Sequence, residues 1–154
     1  MLCVWWDYLG IIYFELLDNN ETIDSYLYAS QLEMVQEALV KKRSVLINRK
    51  IPLLLHDNAK PHVSKIVQEK INDLGWEVLP HPPYSPDIAP SDFHLFRSLQ
   101  NSLQEKKFKN LDDIKSHIQD FFDSKTQSFY QKGIEMLPQR WKSVVDSNGD
   151  YFDY

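Results

Sequence analysis

Ile51-Pro52-Leu53-Leu54-Leu55-His56-Asp57-Asn58 is a short apolar run that breaks off at a charged residue. A run of this length and composition reads as a strand buried on both faces, and it would carry Asp57 to its C-terminal end. Downstream, Val63, Ile66, Val67, Ile71 and Leu74 recur at helical spacing, which predicts a helix from Pro61 or His62 to Leu74, with Gly75 placed to cap it. Trp76-Glu77-Val78-Leu79 then predicts a second short strand. Strands alternating with helices indicate an α/β domain, and open α/β sheets gather ligand and catalytic groups beyond the C-terminal ends of their strands.

Working outward, Pro80, Pro82, Pro83, Pro86 and Pro90 stiffen the next segment, which is expected to be neither helical nor paired within a sheet. Asp92 is expected to open the following helix, with Leu95, Phe96, Leu99 and Leu103 on its buried side. Further helical patterns lie at about 111–123, at 126–136 and around Pro138 to Val145. Toward the N-terminus, residues 2–6 and 11–17 are rich in β-branched and aromatic residues and flank Asp7-Tyr8-Leu9-Gly10, which predicts a hairpin. Tyr28, Leu32, Val35 and Leu39 give one apolar face to a helix over about 24–42. There is no internal repeat, low-complexity tract or interdomain linker.

A chain of 154 residues with 43% apolar and 13% aromatic residues can bury a core of one domain, which excludes a disordered chain. Seventeen basic residues against 22 acidic ones leave a net charge of −5, which opposes non-specific binding to a phosphate backbone. Any DNA contact is therefore expected to be local, or to depend on bound metal or a further region. The single cysteine, Cys3, allows no internal disulfide and reads as a small core residue in a reducing compartment. The apolar N-terminal stretch is broken by Asp7, Gly10 and Glu15 and has no basic leader, so it reads as neither a signal peptide nor a membrane span. It begins directly on a strand-like pattern, which reads as a truncated start.

Asp57 and Asp92 stand out by placement. The interval between them accommodates a strand, a helix and a second strand, which would return the chain to the same sheet edge and bring the carboxylates together. Two close carboxylates repel unless a cation sits between them, and Mg²⁺ suits that task because it takes hard oxygen ligands and phosphate oxygens alike. Paired ions of this kind activate a water or 3′-hydroxyl and stabilise the leaving oxygen of a phosphodiester. Spacing alone leaves a second reading open, in which Asp92 caps its own helix and Asp57 accepts from neighbouring loop amides. His56 and His62 would touch substrate, tune Asp57 or be structurally bonded, and Asn58 would orient a phosphate or make a turn. His81 and His94 lack metal-ligand spacing with cysteine. Lys41-Lys42-Arg43 and Lys106-Lys107 read as DNA contacts or solvated helix ends, and Trp5, Trp6, Trp76 and Trp141 as core.

His56-Asp57-Asn58-Ala59-Lys60-Pro61-His62 resembles the motif around the second catalytic aspartate of mariner-type DNA transposases of the Tc1/mariner superfamily. Pro82-Pro83-Tyr84-Ser85-Pro86-Asp87-Ile88-Ala89-Pro90-Ser91-Asp92 resembles the segment carrying the third. The interval of thirty-four residues, Trp5-Trp6-Asp7, Leu95-Phe96-Arg97-Ser98-Leu99 and Arg140-Trp141 are similar to that family as well. The resemblance implies a ribonuclease H-like (retroviral integrase-like) mixed sheet with flanking helices and a helical C-terminal tail. Residues 1–154 would then be part of a mariner-type transposase catalytic domain whose first strand precedes the hairpin.

It further implies Mg²⁺ or Mn²⁺ as cofactor and Asp57 and Asp92 as the second and third metal-binding catalytic carboxylates; His56, Asn58 and His62 read as substrate contacts from their place beside this site. Transposon ends and target DNA would be the partners, with a homodimer as the acting unit, a nuclear location and no membrane. The first catalytic aspartate of the family falls before this chain begins, and Asp7 lies in the hairpin turn rather than in its place. The implied ancestral activity is metal-dependent DNA strand cleavage and strand transfer, impaired in a polypeptide with two of the three carboxylates. The alternative is a non-catalytic DNA-binding or dimerisation remnant of a domesticated or decayed transposon.

Overall fold

A computed structural model describes residues 1–149, which fold as the hairpin and the strand–helix–strand segment followed by a run of helices. Strands β1 (Leu2–Asp7) and β2 (Gly10–Leu16) pair across the turn at Tyr8 and Leu9. Asp7 Oδ1 accepts from the Leu9 amide at 2.9 Å inside that turn. Helix α1 (Ser25–Lys42) starts where the Asp24 carboxylate accepts from the Leu27 amide at 2.7 Å, and it ends on Lys41 and Lys42, whose charge suits the negative end of the helix dipole. A single turn, α2 (Ser44–Ile47), follows.

Strand β3 (Leu53–Leu54) pairs in parallel with β4 (Glu77–Val78), Leu53 opposite Glu77 and Leu54 opposite Val78. Helix α3 (Lys65–Leu74) connects them; Ser64 caps its start and Gly75 ends it at φ 75°, a left-handed conformation in which a Cβ would be strained. The expected helix start at Pro61 or His62 moves to Lys65 because residues 60–63 form turns and the Ser64 hydroxyl accepts the first free amide.

One expectation fails at β3. The strand was to be buried on both faces, yet Leu53 is 59% and Ile51 60% exposed. Side chains alternate across a strand, and Leu54 packs on the core cluster while no layer among the described residues covers Leu53. The paired ladder is also short, so Asp57 follows the strand end after two further residues rather than terminating it.

The proline-rich segment holds one 3-10 turn, Pro86–Ile88, where no helix was expected; Pro86 occupies its first position, at which the missing N–H is not needed. Ser91–Phe96 forms a π-helical turn that runs into α4 (Arg97–Leu103), so Asp92 lies within the first turn rather than capping it. Helices α5 (Leu111–Ser124), α6 (Gln127–Glu135) and α7 (Leu137–Asp146) are the last among the described residues and lie close to their expected bounds. No helix among the described residues is long and apolar enough to cross a membrane.

Contacts divide the chain into two compact units. The first takes Met1–Trp5 and Ile12–Pro83. Its core joins Ile12, Tyr28, Leu32, Val35 and Leu39 to Val67, Ile71 and Trp76, so α1 packs on α3 and the β3–β4 segment. The second unit takes Trp6–Ile11 and the chain from Tyr84 onward, and buries Ile88, Leu95, Leu99, Ile118, Phe121, Phe122 and Tyr130. Cys3 is buried as expected, as is Trp76, whereas Trp5, Trp6 and Trp141 are only partly covered.

Candidate metal-binding site

Beyond β3 the chain passes through Leu55 and His56 to Asp57, which makes a tight local turn: its Oδ1 accepts from the Ala59 amide at 3.0 Å. The His62 amide donates to Ala59 O at 2.9 Å, and the chain then enters α3 at Ser64. This turn brings His62 Nδ1 to 2.6 Å from the same Asp57 Oδ1. The contact is short but lies off the ring N–H axis, so it is an electrostatic contact rather than an aligned hydrogen bond.

The Asp57 side chain is 62% exposed, and its Oδ2 has no partner among the described residues. Partial burial works against its charge, but the Ala59 amide and the His62 ring outweigh that effect and hold the carboxyl below its ordinary range. Asp57 is therefore ionised at neutral pH.

Behind it stands a stack of rings. Tyr28, 4% exposed on the core face of α1, lies 4.1 Å from the His62 ring centroid and 5.9 Å from that of His56. The two imidazoles are nearly parallel at 5.2 Å. The Tyr28 hydroxyl and His56 Nδ1 share a hydrogen bond of 2.8 Å. Burial, reinforced by the His62 ring, pushes His56 down to about 4, while burial and the Asp57 charge push the Tyr28 phenol up. Both groups are thus neutral at pH 7. Beside them a cavity of about 330 Å³ is lined by His56, Asn58, His62, Ile71, Val78 and His81. Asn58 is tied down there, because its amide donates to His81 O at 2.7 Å.

In the second unit, Asp92 is exposed on the π-helical turn while its neighbours are held by tertiary contacts. The Trp6 indole N–H donates to Ser91 Oγ at 2.9 Å, and the same ring stacks on His94. Arg140, 5% exposed, donates from Nη1 to Asp87 O at 2.9 Å and lays its guanidinium 3.9 Å over the Phe93 ring. His94 Nε2 donates to Phe129 O at 2.7 Å, and burial holds this histidine below its ordinary range.

The sequence singled out Asp57, His56, Asn58 and His62, and the structure gathers all four at one turn. It did not single out Tyr28 as part of this site, nor Trp6 and Arg140 as props for the Asp92 turn. The available signal was chemical: a tyrosine or arginine at a core position needs a partner for its polar end. The basic cluster at the end of α1 is partly used internally, since Lys42 Nζ donates to Ile12 O at 2.9 Å.

Among the described residues no group of three or more His, Cys, Asp or Glu side chains is placed to hold a metal. What the first unit offers is one ionised carboxylate with a free oxygen. Such a hard anionic donor fits Mg²⁺ or Mn²⁺ and not a soft-metal site.

Residues 1–49 match the family Transposase (partial DDE domain). Over 99% of its length the chain is 46% identical to the histone-lysine N-methyltransferase SETMAR of Homo sapiens, of which it covers 22%. Again over 99% of its length it is 44% identical to the Mariner Mos1 transposase of Drosophila mauritiana, of which it covers 45%; the chain thus spans less than half of either relative. A solved Mos1 transposase catalytic domain with raltegravir and Mg superposes with a TM-score of 0.96 at 44% identity, covering 99% of this chain and 76% of that one. The α/β fold is therefore the ribonuclease H-like fold of that domain. With this identity sustained across three quarters of a mariner catalytic domain, the chain belongs to the mariner family of DNA transposases.

Proposed function

We propose that residues 1–154 are part of a transposase catalytic domain that processes DNA by metal-dependent phosphoryl transfer, with Asp57 and Asp92 each supplying a carboxylate to Mg²⁺ or Mn²⁺. The observation that carries this reading is Asp57 itself, ionised, exposed and with Oδ2 open, on the turn that follows β3. Further support comes from relatives: Mos1 structures contain Mg or Mn, one of them a paired-end complex. When bound, the metal would neutralise charge on the phosphate and activate the attacking oxygen. The chain's own residues present the carboxylates, while His56, Asn58 and His62 would contact the DNA strand from the cavity wall. Transposon ends and target DNA would be the partners, bound by a homodimer in the nucleus. With a net charge of −5, affinity for DNA would arise locally rather than from the whole surface.

A second reading is a binding or dimerisation module without cutting activity. It is favoured by the relative named as a histone methyltransferase, in which the matched segment is a minor part of a larger protein. Mn²⁺ titration followed by electron paramagnetic resonance tests the first reading directly, on wild type, Asp57→Asn and Asp92→Asn. Each variant is expected to bind at least tenfold more weakly, and wild-type affinity in both would refute it. Plasmid nicking in Mg²⁺ or Mn²⁺ then separates the readings: nicking that Asp57→Asn abolishes supports the enzyme, and metal binding without nicking supports the module.

A further inference from the structure

Asp57 raises a physical problem for metal binding. An exposed aspartate on a turn can rotate both its torsions, and each rotation must be frozen when a cation binds. Here the carboxylate is already oriented. The Ala59 amide and His62 Nδ1 both lie against Oδ1, and Oδ2 is left without a partner among the described residues.

The His62 ring is itself immobile. Its side chain is 18% exposed, its backbone amide is bonded to Ala59 O, and Pro61 restricts the chain just before it. One neighbour is the Tyr28 ring at 4.1 Å, anchored in the α1 core; another is the His56 ring at 5.2 Å, tethered by its bond to the Tyr28 hydroxyl. Because the Nδ1 contact is off-axis, the stack rather than the carboxylate sets the angle of the ring. His62 therefore acts as a fixed wedge against one oxygen of Asp57.

We propose that His62 is a positioning residue: packed against the Tyr28 ring, it holds the Asp57 carboxylate with Oδ1 turned to the protein and Oδ2 presented to a divalent cation. The proposal rests on the metal reading given above for Asp57. Groups that orient a metal-binding side chain in this way typically contribute a factor of about 10–100 in affinity. The element is non-local in origin, since Tyr28 comes from a helix that precedes the motif by nearly thirty residues. Its effect reaches the cation only through Asp57.

The test is Mn²⁺ affinity of the full 154-residue chain, measured by electron paramagnetic resonance on wild type, His62→Asn, His62→Gln, His62→Ala and Asp57→Ala. Asparagine places an amide N–H near the position of Nδ1, whereas glutamine places it farther out, near Nε2. Affinity is expected to fall about 10–100-fold in His62→Ala and in His62→Gln, and to fall less in His62→Asn, which keeps a polar N–H beside Oδ1 but not the ring packed on Tyr28. Metal-free thermal midpoints monitor folding, and should His62→Ala not fold, the Asn and Gln pair carries the test. Equal affinity in His62→Asn and His62→Gln overturns the proposal, because a role in packing alone does not distinguish where the amide sits. Asp57→Ala binding as tightly as wild type overturns instead the underlying metal reading. Loss in Asp57→Ala with no change in any His62 variant refutes the positioning role alone.

Discussion

Gly133 lies buried in α6, and a Cβ built there would meet the His94 ring at 2.3 Å from Cδ2 and 2.8 Å from Cγ. The ring cannot simply swing aside. Its Nε2 is bonded to Phe129 O, and the Trp6 and Phe129 rings pack against it. Replacing Gly133 with alanine should therefore force His94 from its place. Overpacking costs about 1–3 kcal/mol, and losing the His94 to Phe129 bond adds about 1 kcal/mol. Alanine's better helix propensity offsets about 1 kcal/mol. The net expectation is destabilisation by about 1–3 kcal/mol, or a fall in Tm of roughly 3–8 °C for a domain of this size. The assay is thermal and urea unfolding followed by circular dichroism on wild type, Gly133→Ala, His94→Ala and the double variant. In the His94→Ala background the obstruction is gone, so Gly133→Ala should change sign and stabilise by about 0.5–1 kcal/mol. If alanine destabilises equally in both backgrounds, the steric argument is wrong.

Arg140→Met, which keeps the apolar stem but removes the guanidinium, should cost about 2–4 kcal/mol through the lost contacts to Asp87 O and the Phe93 ring; a loss below about 0.5 kcal/mol in urea unfolding would refute that role. His56 gives a pH dependence with a definite sign. The folded ring titrates at about 4, the unfolded one near 6.5, so below 6.5 the unfolded chain takes up a proton that the folded chain refuses. Stability is thus full above pH 6.5 and declines toward pH 4, by about 1–2 kcal/mol after allowance for solvent screening, and His56→Phe should flatten the decline in urea midpoints. His94 shifts in the same direction, so part of the slope will remain. Asp24→Ala removes the cap on α1 and should cost about 1 kcal/mol without moving the wavelength of tryptophan emission.

How much of this molecule was readable in its letters varies by element. The helices were placed close to their bounds because their signals are local: apolar residues every three or four positions, as at Tyr28, Leu32, Val35 and Leu39, and Gly75 after Leu74. The caps at Asp24, Ser64, Asn110 and Thr126 came only with the structure, which is why the start of α3 was set too early. The strand at Leu53 was placed correctly, but its burial was overestimated. An apolar run records what a chain is able to bury, while coverage depends on which layers pack over it.

The sequence by itself determined the order of the main strands and helices and the family, and it singled out Asp57 and Asp92 as candidates, since each of these readings rests on residues near one another along the chain. Only the tertiary structure decided that Tyr28 and His62 would hold one oxygen of Asp57, that Trp6 and Arg140 would pin the residues around Asp92, and that Gly133 must be small. Each of those facts joins side chains from separate elements. Their distance and orientation follow from backbone paths that no local pattern of charge or hydrophobicity specifies.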